Sequence, residues 1–238
     1  MATSGSSNFA TTRDEIIKFA LLNVNAIGIG ETPSSDQYTN AAFILNGITK
    51  HWQNDGMPLW AIKQTSFALT ATATYNVGAG ATVNVNRPLK IYSAFTRLTS
   101  DSTDMPVEVI TRQEYEQLSN KSTTGIPIRL FYDERGAANA NGVITIWPVP
   151  DTTSISDRTM YINYQRPFDD FDATADEPDF PQSWYLALVW MLSWALAPQH
   201  GVPLEERKVW LQEAEKLHRE ALLFSTEEGS LYVEPQTN

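Results

Sequence analysis

WYLALVWMLSWALA, residues 184–197, is the most apolar run of the chain, and its reading decides the architecture. Ser193 is its single interruption, and its 14 residues fall short of the roughly 20 needed to span a bilayer. The run reads as a helix apolar on every side, which has to be buried by other helices. Asp179, Pro181 and Gln182 supply a cap and first turn ahead of it, and Pro198 ends it. Pro203 then opens a last helix with the stripe Trp210, Ala214, Leu217, Ala221 and Phe224, and Glu215 and Arg219 face outward as an i,i+4 pair.

The other packing partners lie at the opposite end of the chain. Thr12 with Glu15 forms a capping box, in which hydroxyl and carboxylate satisfy backbone N–H groups that the first turn leaves free. Ile17, Ala20, Leu21, Val24 and Ile27 follow at helical spacing, and Gly28 and Gly30 provide a stop. Ser34 with Gln37 repeats the box, and Ala41, Leu45, Ile48 and Trp52 form the next stripe before Gly56 and Pro58.

Between Trp60 and Arg166 the period changes to two, with Thr, Val, Ile and Tyr abundant. Strands are expected at Leu89–Leu98, Ile126–Tyr132, Val143–Trp147 and Met160–Tyr164, with weaker ones at Ile62–Leu69 and Thr82–Val85. Thr111 with Glu114 caps a short helix to about Ser119, and Asp133–Gly142 reads as a hairpin loop. The expected fold is therefore α+β: a four-helix unit formed by the N- and C-terminal helical hairpins, with an inserted antiparallel β domain. Its segments are a flexible lead (1–11), the N-terminal hairpin (12–58), the β insert (59–166), the C-terminal helices (167–224) and a tail (225–238).

Composition narrows the function classes. With 17 basic and 28 acidic residues the net charge is −11, which argues against a protein that grasps DNA through a basic face. Cys is absent, so thiolate chemistry, disulfides and cysteine-ligated metals are excluded. The first residues have neither the basic nor the apolar region of a secretory signal. Seven Trp and 11% aromatics call for burial in a fold or at an interface.

Catalytic motifs are lacking. Gly28 and Gly30 begin a dinucleotide fingerprint, but Pro33 stands at the third glycine and a helix, not a strand, precedes them. No phosphate loop and no nucleophile elbow occur. His51, His200 and His218 are far apart, without a second His at ligand spacing, although Asp55 follows His51 by four. No cofactor, metal or catalytic residue is expected.

Three features remain as candidate interaction sites. Asp169, Asp170, Asp172, Asp176, Glu177 and Asp179 place six acids in eleven residues, without the glycine and spacing of a calcium loop. They read as a solvated loop or as an anionic channel or interface surface. Trp184, Trp190 and Trp194 cannot all share one buried stripe, so one side of that helix is expected at a subunit interface. Leu231, Tyr232 and Val233 form a compact apolar triplet in a polar tail, the form of a docking peptide.

Several segments resemble the head-to-tail adaptors, or packaged-DNA stabilisation proteins, of short-tailed bacteriophages. The resemblance rests on Glu15-Ile-Ile-Lys-Phe-Ala-Leu through Ala26-Ile-Gly-Ile-Gly-Glu-Thr-Pro33, Trp52-Gln-Asn-Asp-Gly-Met-Pro-Leu-Trp60 and Asp176-Glu-Pro-Asp-Phe-Pro-Gln-Ser-Trp-Tyr185. Leu196-Ala-Pro and Gly201-Val-Pro-Leu-Glu-Glu-Arg207 continue it. The resemblance implies a structural virion protein at the portal–tail junction, assembled in the host cytoplasm. It implies a homo-oligomeric ring, typically dodecameric, that binds the portal protein and offers a platform to the tail nozzle or tail tube protein. Genomic DNA would pass through its lumen without sequence-specific binding, and no membrane is involved. The tail triplet then corresponds to a portal-docking segment. An anionic tunnel wall would repel phosphates and let the genome slide. The β insert of roughly a hundred residues departs from shorter members. The alternative is a carbohydrate-binding module or glycan hydrolase that uses surface Trp and Asp residues.

Overall fold

Helix α1 (Arg13–Asn23) begins where its capping box places it, with the Glu15 N–H donating to Thr12 Oγ1 at 3.3 Å and the Thr12 N–H to Glu15 Oε2 at 2.9 Å. The computed structural model describes residues 5–7, 9–56, 58–136 and 141–226. The architecture is mixed α+β, and the chain divides into two compact units, Met1–Leu59 with Phe168–Asn238, and Trp60–Pro167. Helix α1 stops earlier than its apolar spacing predicts: Asn25 takes a left-handed φ of 55°, which Asn tolerates, so the chain turns before Gly28.

In the first unit α2 (Ser35–Trp52) starts from the Ser34–Gln37 box. The Trp-rich run forms α5 (Tyr185–Leu196), preceded by a 3₁₀ turn at Gln182–Trp184 and followed by another at Ala197–His200. The expected side-chain cap is absent, because Pro181 occupies that position. Helix α6 (Leu204–Phe224) follows Pro203. α5 touches α1, α2 and α6, which explains why Ala187, Leu188, Leu192 and Leu196 are all sealed from solvent. Its one interior polar group is satisfied: Ser193 Oγ donates to the Val189 carbonyl at 2.8 Å and accepts from Asn23 Nδ2 at 2.9 Å.

Helix α6 buries Ala214, His218 and Ala221 rather than the whole expected stripe, and Phe224 is 85% exposed. These three residues also stand at i, i+4 and i+7, and the two small alanines allow close approach to α5. His218 lies flat on Trp52, with centroids 4.3 Å apart, and edge-on to Trp184 at 5.2 Å. Phe180 completes this cluster against both tryptophans.

The acidic run is a strap over α1 and α2. Phe168, Phe171 and Phe180 anchor it in the core. Asn46 on α2 brackets Phe171, accepting its N–H at 2.8 Å and donating to its carbonyl at 3.3 Å. Lys50 donates to the Phe168 carbonyl at 2.6 Å, and the Arg13 N–H donates to the Asp176 carbonyl at 2.8 Å.

In the second unit β1 (Ile62–Ala68), β2 (Thr74–Val77), β3 (Lys90–Leu98), β4 (Asp104–Ile110), β6 (Arg129–Asp133), β7 (Gly142–Trp147) and β9 (Arg158–Gln165) form one sheet in the order β1-β9-β3-β4-β6-β7-β2. The small pair β5 (Thr124–Gly125) and β8 (Val149–Pro150) stands apart, and the short helices are α3 (Arg112–Glu116) and α4 (Thr152–Asp157). The sheet is not purely antiparallel: β4 pairs with β6 in parallel, as β5 does with β8. The connection from β4 to β6 runs through α3 and is long enough to return the chain in the same direction. Strand β4 escapes the sequence reading because Pro106 stands within it, and Thr82–Val85 supplies only a bridge from Val83 to Val77. The core lies on one face, with Tyr75, Val107, Leu130, Ile144, Ile146, Met160 and Ile162.

Two consequences are testable. Burial pushes the His218 imidazole below its ordinary pKa, against the opposing pull of Asp55 at 4.0 Å and with the support of His51. Its Nε2 is buried without a hydrogen-bond partner. The unfolded chain binds this proton near pH ~6.5 and the folded one only at lower pH, so stability is full above that value and falls as pH drops below it. Urea midpoints should therefore fall between pH 7.5 and pH 5.5, and His218→Phe should flatten that slope; an unchanged slope in the variant contradicts the assignment. Asn46→Ala removes both bonds to Phe171 and should cost about 1–3 kcal/mol. Hydrogen exchange should quicken at the Phe171 amide, and unaltered protection would show that the strap is held by other groups.

Candidate protein-interaction surfaces

The strap fixes where the six acids go. Asp176 Oδ2 accepts from the N–H groups of Asp172 and Ala173 at 2.8 and 2.6 Å, and Asp179 Oδ2 accepts from that of Asp169 at 3.1 Å. Asp170 pairs with Lys50 at 2.6 Å. The carboxylates of Asp176, Asp179 and Asp170 thus shape or anchor the strap, while Asp169, Asp172 and Glu177 are exposed and give its surface an acidic character.

The three tryptophans part company. Trp184 is 1% exposed and donates through Nε1 to Ser225 Oγ at 3.3 Å, so it belongs to the core and offers no surface to another subunit. This corrects its expected place at an interface: the 3₁₀ turn before α5 swings its ring toward Trp52 and His218. Trp190 is half-buried, edge-on to Trp210 at 6.4 Å, and Trp194 is half-buried as well.

Trp190 also reaches a groove that sequence reasoning missed. Phe19 and Asn23 of α1 form one wall and Tyr185, Leu186, Val189 and Trp190 of α5 the other, with Phe9 and Thr11 at the N-terminal side. The groove encloses about 350 Å³. Phe19 and Leu186 are 56% and 55% exposed, and the Phe9 ring lies 5.8 Å from that of Tyr185. Phe19 was legible as an anomaly, since it falls outside the apolar stripe of its own helix. Exposed apolar surface gathered into a groove in this way is characteristic of a binding surface.

The second unit presents a different surface on the face of the sheet opposite its core. Phe95 and Tyr161 stack at 5.0 Å, and the Arg97 guanidinium lies 4.8 Å from the Tyr161 ring. Arg97 forks onto Asp104 at 2.6 and 2.8 Å, holding that carboxyl below the usual range. Arg129 bonds Glu108 at 3.2 Å and lies 5.9 Å from the Trp147 ring, and Arg112 pairs with Asp133 over Phe131. Each arginine is thus engaged by both a carboxylate and an aromatic face.

Leu231, Tyr232 and Val233 lie outside the described residues. Ser225, expected in the tail, belongs instead to the helical unit: it is 8% exposed, and its carbonyl accepts from the Leu59 N–H at 2.7 Å. Among the described residues no group of three His, Asp or Glu could hold a metal ion. No helix among them is long and apolar enough to cross a membrane.

No curated protein matches the chain. A family model described as SU10 adaptor protein matches residues 26–230, from the turn after α1 to beyond the end of α6. That match spans both units and most of the sequence, and with it the surfaces described above find a common context: the chain belongs to the SU10 adaptor protein family, phage adaptors with a structural role.

Proposed function

We propose that this protein is a virion ring component that sits beneath the portal, extends the DNA channel, helps retain packaged DNA and carries the tail. The observation that carries this reading is the family match across both units. In this reading α1, α2, α5 and α6 act together as the ring-forming unit, and the sheet unit is the insert that enlarges it. A ring closes through a head-to-tail interface that joins two different patches of each subunit. The helical unit carries suitable apolar side chains on more than one element, with Phe19 on α1, Phe43 on α2 and Leu186 on α5 all more than half exposed.

Charge supports passage of DNA without a grip. The chain carries −11, and Arg87, Arg97, Arg112 and Arg129 of the sheet unit are each paired with a carboxylate. Phosphate binding would have to displace those partners, which lowers its yield in free energy. The same pairing weighs against a glycan platform, because Tyr161 and Trp147 already have arginines on their faces and Trp184 is buried. Leu231, Tyr232 and Val233 are the proposed portal contact.

The position of Ser225 sets how the tail is tested. Truncation after Phe224 would remove the acceptor for Trp184 and Leu59, so the cut belongs after Thr226. A chain ending at Thr226 should keep its circular-dichroism spectrum and melting temperature but lose at least about tenfold in portal affinity, the equivalent of ~1.4 kcal/mol. Portal co-sedimentation reads this directly, and undiminished binding would refute a docking role for the tail.

A further inference from the structure

The groove between α1 and α5 is open in the described part of the molecule, and the chain supplies a segment that fits it. We propose that in the free protein the groove is occupied by the C-terminal segment of the same chain, with Leu231, Tyr232 and Val233 seated against Phe19, Leu186 and Trp190. The inference concerns the isolated protein and does not depend on any portal contact.

Position is the first argument. The described chain ends at Thr226, one residue past Ser225, which the Trp184 indole N–H holds at 3.3 Å. Trp184 immediately precedes Tyr185 and Leu186, the first groove residues of α5. The described chain therefore ends beside the end of α5 at which the groove begins. The five residue steps from Thr226 to Leu231 reach about 17 Å when extended. A helix with its side chains is about 10 Å across, so the connector is long enough to pass from the α6 side of α5 to the α1 side.

Chemistry is the second argument. The groove walls carry no charged residue, and their polar side-chain groups are those of Thr11, Asn23, Tyr185 and Trp190. The triplet is likewise uncharged, two aliphatic residues around one phenol, whose hydroxyl needs a polar neighbour when its ring is buried. Glu227, Glu228 and Glu234 flank the triplet and can remain in water on either side of the seat. A tether this short gives the triplet a millimolar effective concentration at the groove, so even a weak intrinsic contact is populated. Two apolar surfaces are then covered in the free protein, and a partner that captures the triplet uncovers the groove at the same moment.

The absence of cysteine makes the test direct, because introduced thiols are the only ones present. Leu186→Cys with Tyr232→Cys, and Phe19→Cys with Tyr232→Cys, probe the two walls at exposed positions. Phe43→Cys with Tyr232→Cys is the control, since Phe43 is 81% exposed but does not line the groove. After mild oxidation at micromolar concentration, mass spectrometry should find intramolecular disulfides in both wall variants, at about fivefold or more the yield of the control. Equal yields in all three variants, disulfides only between chains, or none in either wall variant would each overturn the proposal.

Discussion

The burial of α5 is the constraint on which the helical unit depends. Tyr185–Leu196 contains no charged residue, and its leucines at 188, 192 and 196 are closed to solvent. Each such side chain contributes about 1.5–3 kcal/mol when taken out of water, but only if something covers it. Coverage comes from α1, α2 and α6, two of them contributed by the far end of the sequence. The N- and C-terminal segments are thereby obliged to meet, and the intervening residues have to leave and return, as the sheet unit does. Trp184 locks the start of α5 through Trp52, Phe180 and His218, and its link to Ser225 ties in the end of α6.

Local signals in the sequence proved the most readable. All three capping boxes, at Thr12, Ser34 and Thr111, form with both of their reciprocal bonds, because that chemistry involves residues only three apart. The long strands β3, β7 and β9 were legible from alternation. What the sequence concealed depends on distant partners. Strand β4 holds a proline yet is stabilised between β3 and β6, and the parallel β4–β6 pairing follows from a crossover rather than from side-chain pattern. On α6 the stripe residues Ala214 and Ala221 are buried as expected, whereas His218 joins them through its aromatic partners Trp52 and Trp184 and Phe224 stays exposed. The groove was hidden because it is built from residues 9–23 and 185–190, which no local window brings together.

Charge has a more local role than the net value suggests. The acidic run contributes carboxylates that accept backbone N–H groups and a lysine, which turns a loop of like charges into an ordered strap. On the sheet unit, arginines are matched to carboxylates and stacked on aromatic rings. Those exposed pairs add little stability individually. Their chemical consequence is local, since a cation already held by a carboxylate and an aromatic face is a poor phosphate ligand.

The proposed role requires copies of this chain to close into a ring on the portal. Electron cryomicroscopy of the protein mixed with its cognate portal would image that ring. The expected result is a closed ring of copies coaxial with the portal, joined through their helical units and leaving an open channel along the axis. Particles of bare portal beside a protein that stays monomeric would contradict it.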